Sequence, residues 1–265
     1  MRRISIAIGA GLVALMLASC GTTEPGATLP APEVTGLSIA DSGVTLVISW
    51  SPVDGAKGYK IMCDGQEIAD LVDTATSYAI NGNDHVCRSI KLAAHDGKGN
   101  MGDAYTKDLM EERDVTVYST DDTVATNPSW VKIDFTNFTV NAVTQDNVVA
   151  EDNIGYFVYY YDSNLGTRIF KDAKETSVGQ VSEEIAFTNH TDATLAPSTG
   201  YSLISETVDE GDRFIFWSDD VNSGTYGDFD EEDNFGVIKV NAVNGTEADL
   251  TIYIQTVGGL RWVKE

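Results

Sequence analysis

Seven carboxylates crowd into fifteen residues near the C-terminal end of this chain: Asp219, Asp220, Asp228, Asp230, Glu231, Glu232 and Asp233. Like charges at that density repel unless water or a cation comes between them. Hard oxygen donors in such number suit Ca²⁺, which takes roughly six to eight of them. The spacing is not that of an EF-hand loop, because the position that needs Gly holds Asp233 and the position that needs Glu holds Lys239. Two readings stand side by side, a weak calcium loop and a hydrated loop that keeps a sheet edge from sticking. The second chemically suggestive stretch is residues 154–161. Strand alternation puts Tyr156 and Tyr160 on one face and Phe157, Tyr159 and Tyr161 on the other. A strand apolar on both faces fits between two layers. The functional alternative is a platform in which Tyr159 and Tyr161, joined by Trp130, Trp217 or Trp262, stack against sugar rings or an extended peptide.

Other catalytic signals are missing. His85, His95 and His190 lie far apart in sequence, and none has a second ligand at metal-site spacing. No Gly-x-Ser-x-Gly elbow, Ser-x-x-Lys set or Gly-rich phosphate loop occurs. Paired carboxylates for polysaccharide hydrolysis stay open, because among so many acids two can meet at about 5–9 Å without any sequence signal. The charge balance is more decisive. With 17 Lys+Arg against 41 Asp+Glu, net −24, and no basic run beyond Arg2 and Arg3, the chain is expected to bind no nucleic acid.

The elements that must carry these residues read as β throughout. From residue 34 to about 108 apolar positions alternate with period two, broken every eight to twelve residues by turn residues. Leu46, Ile48 and Trp50 share a face, Tyr59, Ile61 and Cys63 repeat the pattern, and so do Ile90, Leu92 and Ala94. In residues 113–265, where most of the excess acid lies, strand-like runs fall at 115–118, 131–140, 154–161, 167–170, 181–187, 201–206, 213–217, 235–243, 250–255 and 260–263. No stretch of about twelve residues keeps helical spacing. The expected fold is all-β, with two β-sandwich domains at 33–110 and 113–265, the second a larger sandwich or jelly roll.

The first 32 residues are of another kind. Arg2 and Arg3 precede an uncharged apolar run, residues 4–18, too short to span a hydrocarbon core of about 30 Å. Residues 1–19 therefore read as a signal peptide. Leu17-Ala18-Ser19-Cys20 resembles the lipobox of bacterial lipoproteins, which implies that Cys20 becomes the lipidated first residue and ties the protein to a membrane. Gly21 stands where an Asp would resemble an inner-membrane retention signal, so the resemblance points to the outer membrane in a cell that has one. Residues 20–32, with three of the six prolines, read as an extended tether.

Trp50 with Pro52, Gly58-Tyr59, and the Ala-rich strand running into Asp96-Gly97-Lys98-Gly99-Asn100 stand in the order of a fibronectin type III module, which residues 33–110 resemble. The family's corner tyrosine is replaced by Arg88, and no Arg-Gly-Asp triplet occurs in the chain. Setting Cys20 aside leaves Cys63 and Cys87, an even number for an oxidising compartment. In the family layout they sit on neighbouring strands, which implies a disulfide; two buried thiols are the alternative. Together these readings describe a lipid-anchored extracytoplasmic cell-surface protein with a non-catalytic role in binding a glycan or an extracellular protein. An envelope structural or assembly protein and an accessory polysaccharide hydrolase are the alternatives.

Overall fold

A computed structural model describes residues 28–149, 151–176, 183–190, 194–220 and 229–265, the side chain of Asp220 excepted. Cys20 and Asp228, and with them the lipidation reading and part of the calcium reading, lie outside the described residues. The chain is all-β in several sheets.

The first lobe follows the alternation. β1 (Val34–Ala40), β2 (Thr45–Trp50) and β5 (Ser77–Asn81) form a three-stranded antiparallel sheet with β2 central. β3 (Gly58–Cys63), β4 (Gln66–Val72), β6 (Ser89–His95) and β7 (Met101–Asp108) form a second, in the order β4-β3-β6-β7. Leu46, Ile48 and Trp50 face Tyr59, Ile61, Ile90 and Leu92 in one core. Period-two patterning permits this and a one-residue slip would destroy it. The Trp50 and Tyr59 rings meet at 5.3 Å, and the Tyr59 hydroxyl accepts a hydrogen bond from the Val53 amide at 2.8 Å. A disulfide joins Cys63 at the end of β3 to Cys87 just before β6, with a Cα separation of 5.2 Å. The tether ends earlier than expected. Asp103 donates its amide to the Leu29 carbonyl at 2.8 Å, Leu29 packs on the core edge, and Pro32 is buried.

The second lobe is a ten-stranded sheet. β8 (Met110–Tyr118), β9 (Trp130–Asp134), β10 (Thr139–Val143), β11 (Ile154–Asp162), β12 (Thr167–Asp172), β13 (Glu183–Asn189), β14 (Ile204–Thr207), β15 (Arg213–Asp220), β16 (Asn234–Asn244) and β17 (Glu247–Gln255) run in the order β10-β9-β11-β13-β15-β16-β17-β8, with β12 and β14 branching from β11. The sheet curls until β10 lies near β8, enclosing a core that includes Val117, Ile133, Phe157, Phe170, Phe187, Phe216, Ile238 and Ile252. Four aromatic rings of that core, Phe157, Phe170, Phe187 and Phe214, form edge-on and tilted contacts of 5.1–6.1 Å. Two expected strands are corrected. Residues 131–140 are a hairpin, β9 and β10, because the Asp134 carboxylate accepts the amides of Thr136 and Asn137 and Phe138 takes a positive φ. Residues 260–263 form no full strand of the second lobe; they pair with it only through an isolated antiparallel bridge of Trp262 with Leu195, with the Ala196 amide donating to the Arg261 carbonyl and the Val263 amide to the Thr194 carbonyl.

Those last residues are a strap between the lobes, with Leu260 and Trp262 packed in the first and Val263 in the second. Leu260 and Trp262 are completely buried in the first lobe's core, and the Trp262 indole donates to the Val44 carbonyl at 2.9 Å. The Arg261 amide donates to the Gly43 carbonyl, while its guanidinium bonds the carbonyls of Ala196 and Ser42. Lys264 reaches Asp64 at 2.7 Å beside the disulfide. The lobes approach so closely that a Cβ at Gly43, whose φ is +78°, would stand 2.2 Å from the Gly259 carbonyl.

Candidate functional site

The acidic loop lies at this junction. The amides of Glu232 and Asp233 donate to the Asp230 carboxylate, and the Asp230 amide donates back to Asp233 at 2.8 Å, closing a reciprocal turn. Gly259 donates its amide to the Asp233 carbonyl, which ties the turn to the strap. Asp219 and Asp233 are buried, whereas Glu231 and Glu232 are exposed. Burial pushes the Asp233 carboxyl up to about 7; the Asp230 amide and the Trp217 indole pull it down, and the neighbouring Asp230 and Asp219 add to the rise. The Asp230 and Asp233 carboxylates thus serve the turn's own backbone. Among the described residues no group of three His, Cys, Asp or Glu is placed to hold a metal ion.

The aromatic platform is also corrected. Tyr159 is fully buried in the second lobe's core, its hydroxyl without a hydrogen-bond partner, and burial pushes its pKa up, against ionisation. Trp217 is 2% exposed, packed edge-on against Tyr201 and tilted over Phe235. Tyr161 is half-buried with the Arg168 guanidinium 5.5 Å from its ring centre. The physical reason is the curled sheet. On one face of β11, Phe157 and Tyr159 are buried in the core, and on the other Ile154, Tyr156 and Val158 are buried with Trp130 and Ala173, which leaves, of its aromatic residues, only Tyr160 and Tyr161 partly exposed.

A different feature presents polar groups outward. At the end of β8 the chain turns through residues 119–129 into β9, and across from it β10 leads into a 3₁₀ turn at Gln145–Asn147. Between them lies a cleft of about 220 Å³, lined by Thr120, Asn127, Ser129, Thr144 and Gln145 together with Asp122, Val124, Ala125 and Trp130. The loop is held by backbone bonds to β11, Thr120 to the Tyr159 carbonyl and the Tyr159 amide to Ser129. Asp122 is its knot. The carboxylate accepts from the Val124 amide at 2.6 Å, from the Asn127 side chain and from the Thr246 hydroxyl, and these bonds, Thr246's foremost, hold it below the usual carboxylate range. Beside it Arg168 clamps Asp121 with two nitrogens, at 3.3 and 2.8 Å.

The chemistry of the lining is neutral. No Lys or Arg lines the cleft, so it lacks the charge complement of an anion, and the one carboxylate is already occupied by three donors. Hydroxyls and amides remain, suited to a neutral ligand rich in hydrogen-bonding groups. Its volume lies below the roughly 300 Å³ of pockets that enclose drug-sized molecules, so it fits a single ring or side chain of something larger. Sequence reasoning missed it because hydroxyls brought together from residues 119–129 and 144–145 carry no spacing signature; only the turn-prone composition of each loop was visible.

No family model matches the chain, and no curated protein matches it. The solved structures similar to parts of it include the following two. One is the Clostridium perfringens spore cortex lytic enzyme SleM, at 24% identity and a TM-score of 0.24 over 30% of this chain and 28% of that one. The other is a DUF4466 family protein from Parabacteroides merdae ATCC 43184, at 10% identity and a TM-score of 0.36 over 86% of this chain and 99% of that one. Likenesses this slight carry no argument about function.

Proposed function

We propose that this is a lipid-anchored extracytoplasmic surface protein whose second lobe binds a partner without catalysis, and whose first lobe is a fibronectin type III-like spacer. The target is a glycan or an extracellular protein that inserts one neutral, hydrogen-bonding group into the cleft of residues 119–145. The observation that carries this reading is the placement of the two ends. Leu29 joins the first lobe at Asp103, five residues before β7 reaches the junction, and the cleft opens past Tyr118, eight residues beyond Met110 at the junction. At about 3.3 Å per strand residue those steps are roughly 17 and 26 Å, so attachment and cleft lie at opposite ends of their lobes. A tether fixed at one end presents the other outward.

The test is a panel of glycans and extracellular matrix proteins offered to the full mature chain and to Ala125→Trp, which fills the cleft from an exposed position. A ligand whose affinity falls at least tenfold in the variant, with the melting temperature unchanged, supports the reading. Binding that the variant leaves untouched, or hydrolysis of any panel member, overturns it.

A further inference from the structure

One wall of the cleft at residues 119–145 carries an unpaired donor. Trp130 opens β9, where it pairs with Val143 on β10 and Val158 on β11, and its side chain packs with Ile154, Tyr156, Val158 and Ala173. It is 4% exposed, and it lines the cleft. A buried Trp ordinarily finds a partner for its indole N–H. Of the other three Trp residues, Trp262 bonds the Val44 carbonyl, and the indole nitrogens of Trp50 and Trp217 are sealed from solvent. The Trp130 nitrogen is not sealed, and among the described residues it has no hydrogen-bond partner. The small part of Trp130 that meets solvent therefore includes this N–H, and it meets that solvent at the cleft.

The rest of the lining decides which ligand this donor suits. The Asn127 carboxamide touches only Asp122, through its nitrogen at 3.4 Å, which leaves its oxygen to accept. Val124 and Ala125, both exposed, add a small apolar patch. The Thr120 and Thr144 hydroxyls accept from the Tyr161 amide and the Asn147 side chain, and each keeps a proton to donate. A donor, an amide acceptor and a methyl-sized apolar patch, ringed by hydroxyls, complement a secondary acetamide carried on a polyhydroxylated ring. A volume of about 220 Å³ admits one such ring and no extended chain. We propose that the ligand of this cleft is the acetamido group of an N-acetylated amino sugar, an assignment that rests on the cleft being the binding end and narrows its ligand to one class. The acetamido carbonyl accepts from the Trp130 indole, its N–H donates to the Asn127 oxygen, and its methyl lies on Val124 and Ala125.

The probe is N,N′-diacetylchitobiose, with cellobiose as the counterpart that carries hydroxyls where the acetamido groups stand, titrated into the full mature chain. Calorimetry reads affinity, and the indole ¹⁵N–¹H spectrum reads place, with the Trp130 signal assigned by its loss in Trp130→Phe. Diacetylchitobiose is expected to bind at least tenfold more tightly than cellobiose and to shift the Trp130 signal saturably while those of Trp50, Trp217 and Trp262 stay in place. Trp130→Phe keeps an aromatic ring and removes the N–H, and Asn127→Ala gives up only one long contact inside the protein; each is expected to lower the preference for the acetylated sugar at least threefold. Cellobiose bound as tightly, with the Trp130 signal moved by both sugars, overturns the acetamido assignment and leaves the cleft as a site, and so does an N-acetylated dipeptide bound as tightly as the acetylated sugar. No binding of either sugar, or a preference undiminished in both variants, also overturns it. Diacetylchitobiose bound undiminished by Ala125→Trp overturns this assignment and the reading of the cleft together.

Discussion

Replacing Trp262 by Ala perturbs the contact on which the union of the two lobes rests. The residue belongs by sequence to the second lobe, yet it is fully buried in the core cluster that holds Leu46, Ile48, Ile80 and Cys87 of the first, and its indole nitrogen bonds the Val44 carbonyl. Truncating a buried Trp costs about 3–5 kcal/mol through lost burial and the cavity left behind. The Val44 carbonyl keeps its bond from the Gly82 amide at 3.0 Å, so the change does not orphan it. A loss of about 3–5 kcal/mol, at about 2–4 °C for each, corresponds to a fall in melting temperature of roughly 6–20 °C. Calorimetry reads the size and hydrogen exchange reads the place. Amides of β2 and β5, some 180 or more residues away in sequence, are expected to lose protection along with the strap. A fall of less than about 2 °C, or lost protection confined to β15–β17, would refute the claim that the C-terminal strap completes the first lobe's core.

Three further outcomes follow from the same geometry. Cys63→Ala with Cys87→Ala opens a bridge of sequence separation 24 and is expected to destabilise the first lobe by about 3 kcal/mol, read by urea unfolding; an unchanged midpoint would contradict it. Burial pushes the Asp172 carboxyl up to about 7 against the pull of the Ile185 and Lys174 amides. Because the folded state then holds a proton that the unfolded state has released, this group's contribution lowers stability as pH rises from about 4 to 7 and is flat above that. Asp172→Asn is expected to reduce the stability difference between pH 4.5 and 7.5, and an unaltered difference would remove Asp172 as its source. Gly102→Val would place a Cβ 2.3 Å from the Leu29 carbonyl, so exchange at the Asp103 amide should rise sharply while the β3–β6 amides stay protected; an unchanged Asp103 would show that Leu29 does not dock there.

The parts of the fold that were legible in the sequence are those governed by strand alternation. Leu46, Ile48 and Trp50 are buried together as their period requires, and β11 is apolar on both sides because it has a core on each. Cys63 and Cys87 are bonded, as the layout of the resembled family implies. What could not be read depends on distant partners. Leu260 to Val263 shows the same apolar alternation whether it pairs as a strand or inserts as a strap, and only the docking of Arg261 on Gly43 decides. Tyr159 and Trp217 carry polar tips that suit a wet surface equally well, but the closing of the sheet buries both. Crowded charge at residues 219–233 suggested a cation; in the described part of that loop the Asp230 and Asp233 carboxylates accept backbone amides of their own turn. The outward cleft is assembled from loops brought together by β-sheet topology, and local sequence holds no trace of that meeting.

The measurement that bears most directly on the central claim is hydrogen exchange of the full mature chain with and without the tightest ligand from the glycan and matrix-protein panel. Protection is expected to rise at residues 119–129 and 144–147 and to stay unchanged along β7 and at Leu29. Protection that appears instead on the first lobe, or nowhere while the ligand is bound, would contradict the assignment of the outward cleft as the binding end.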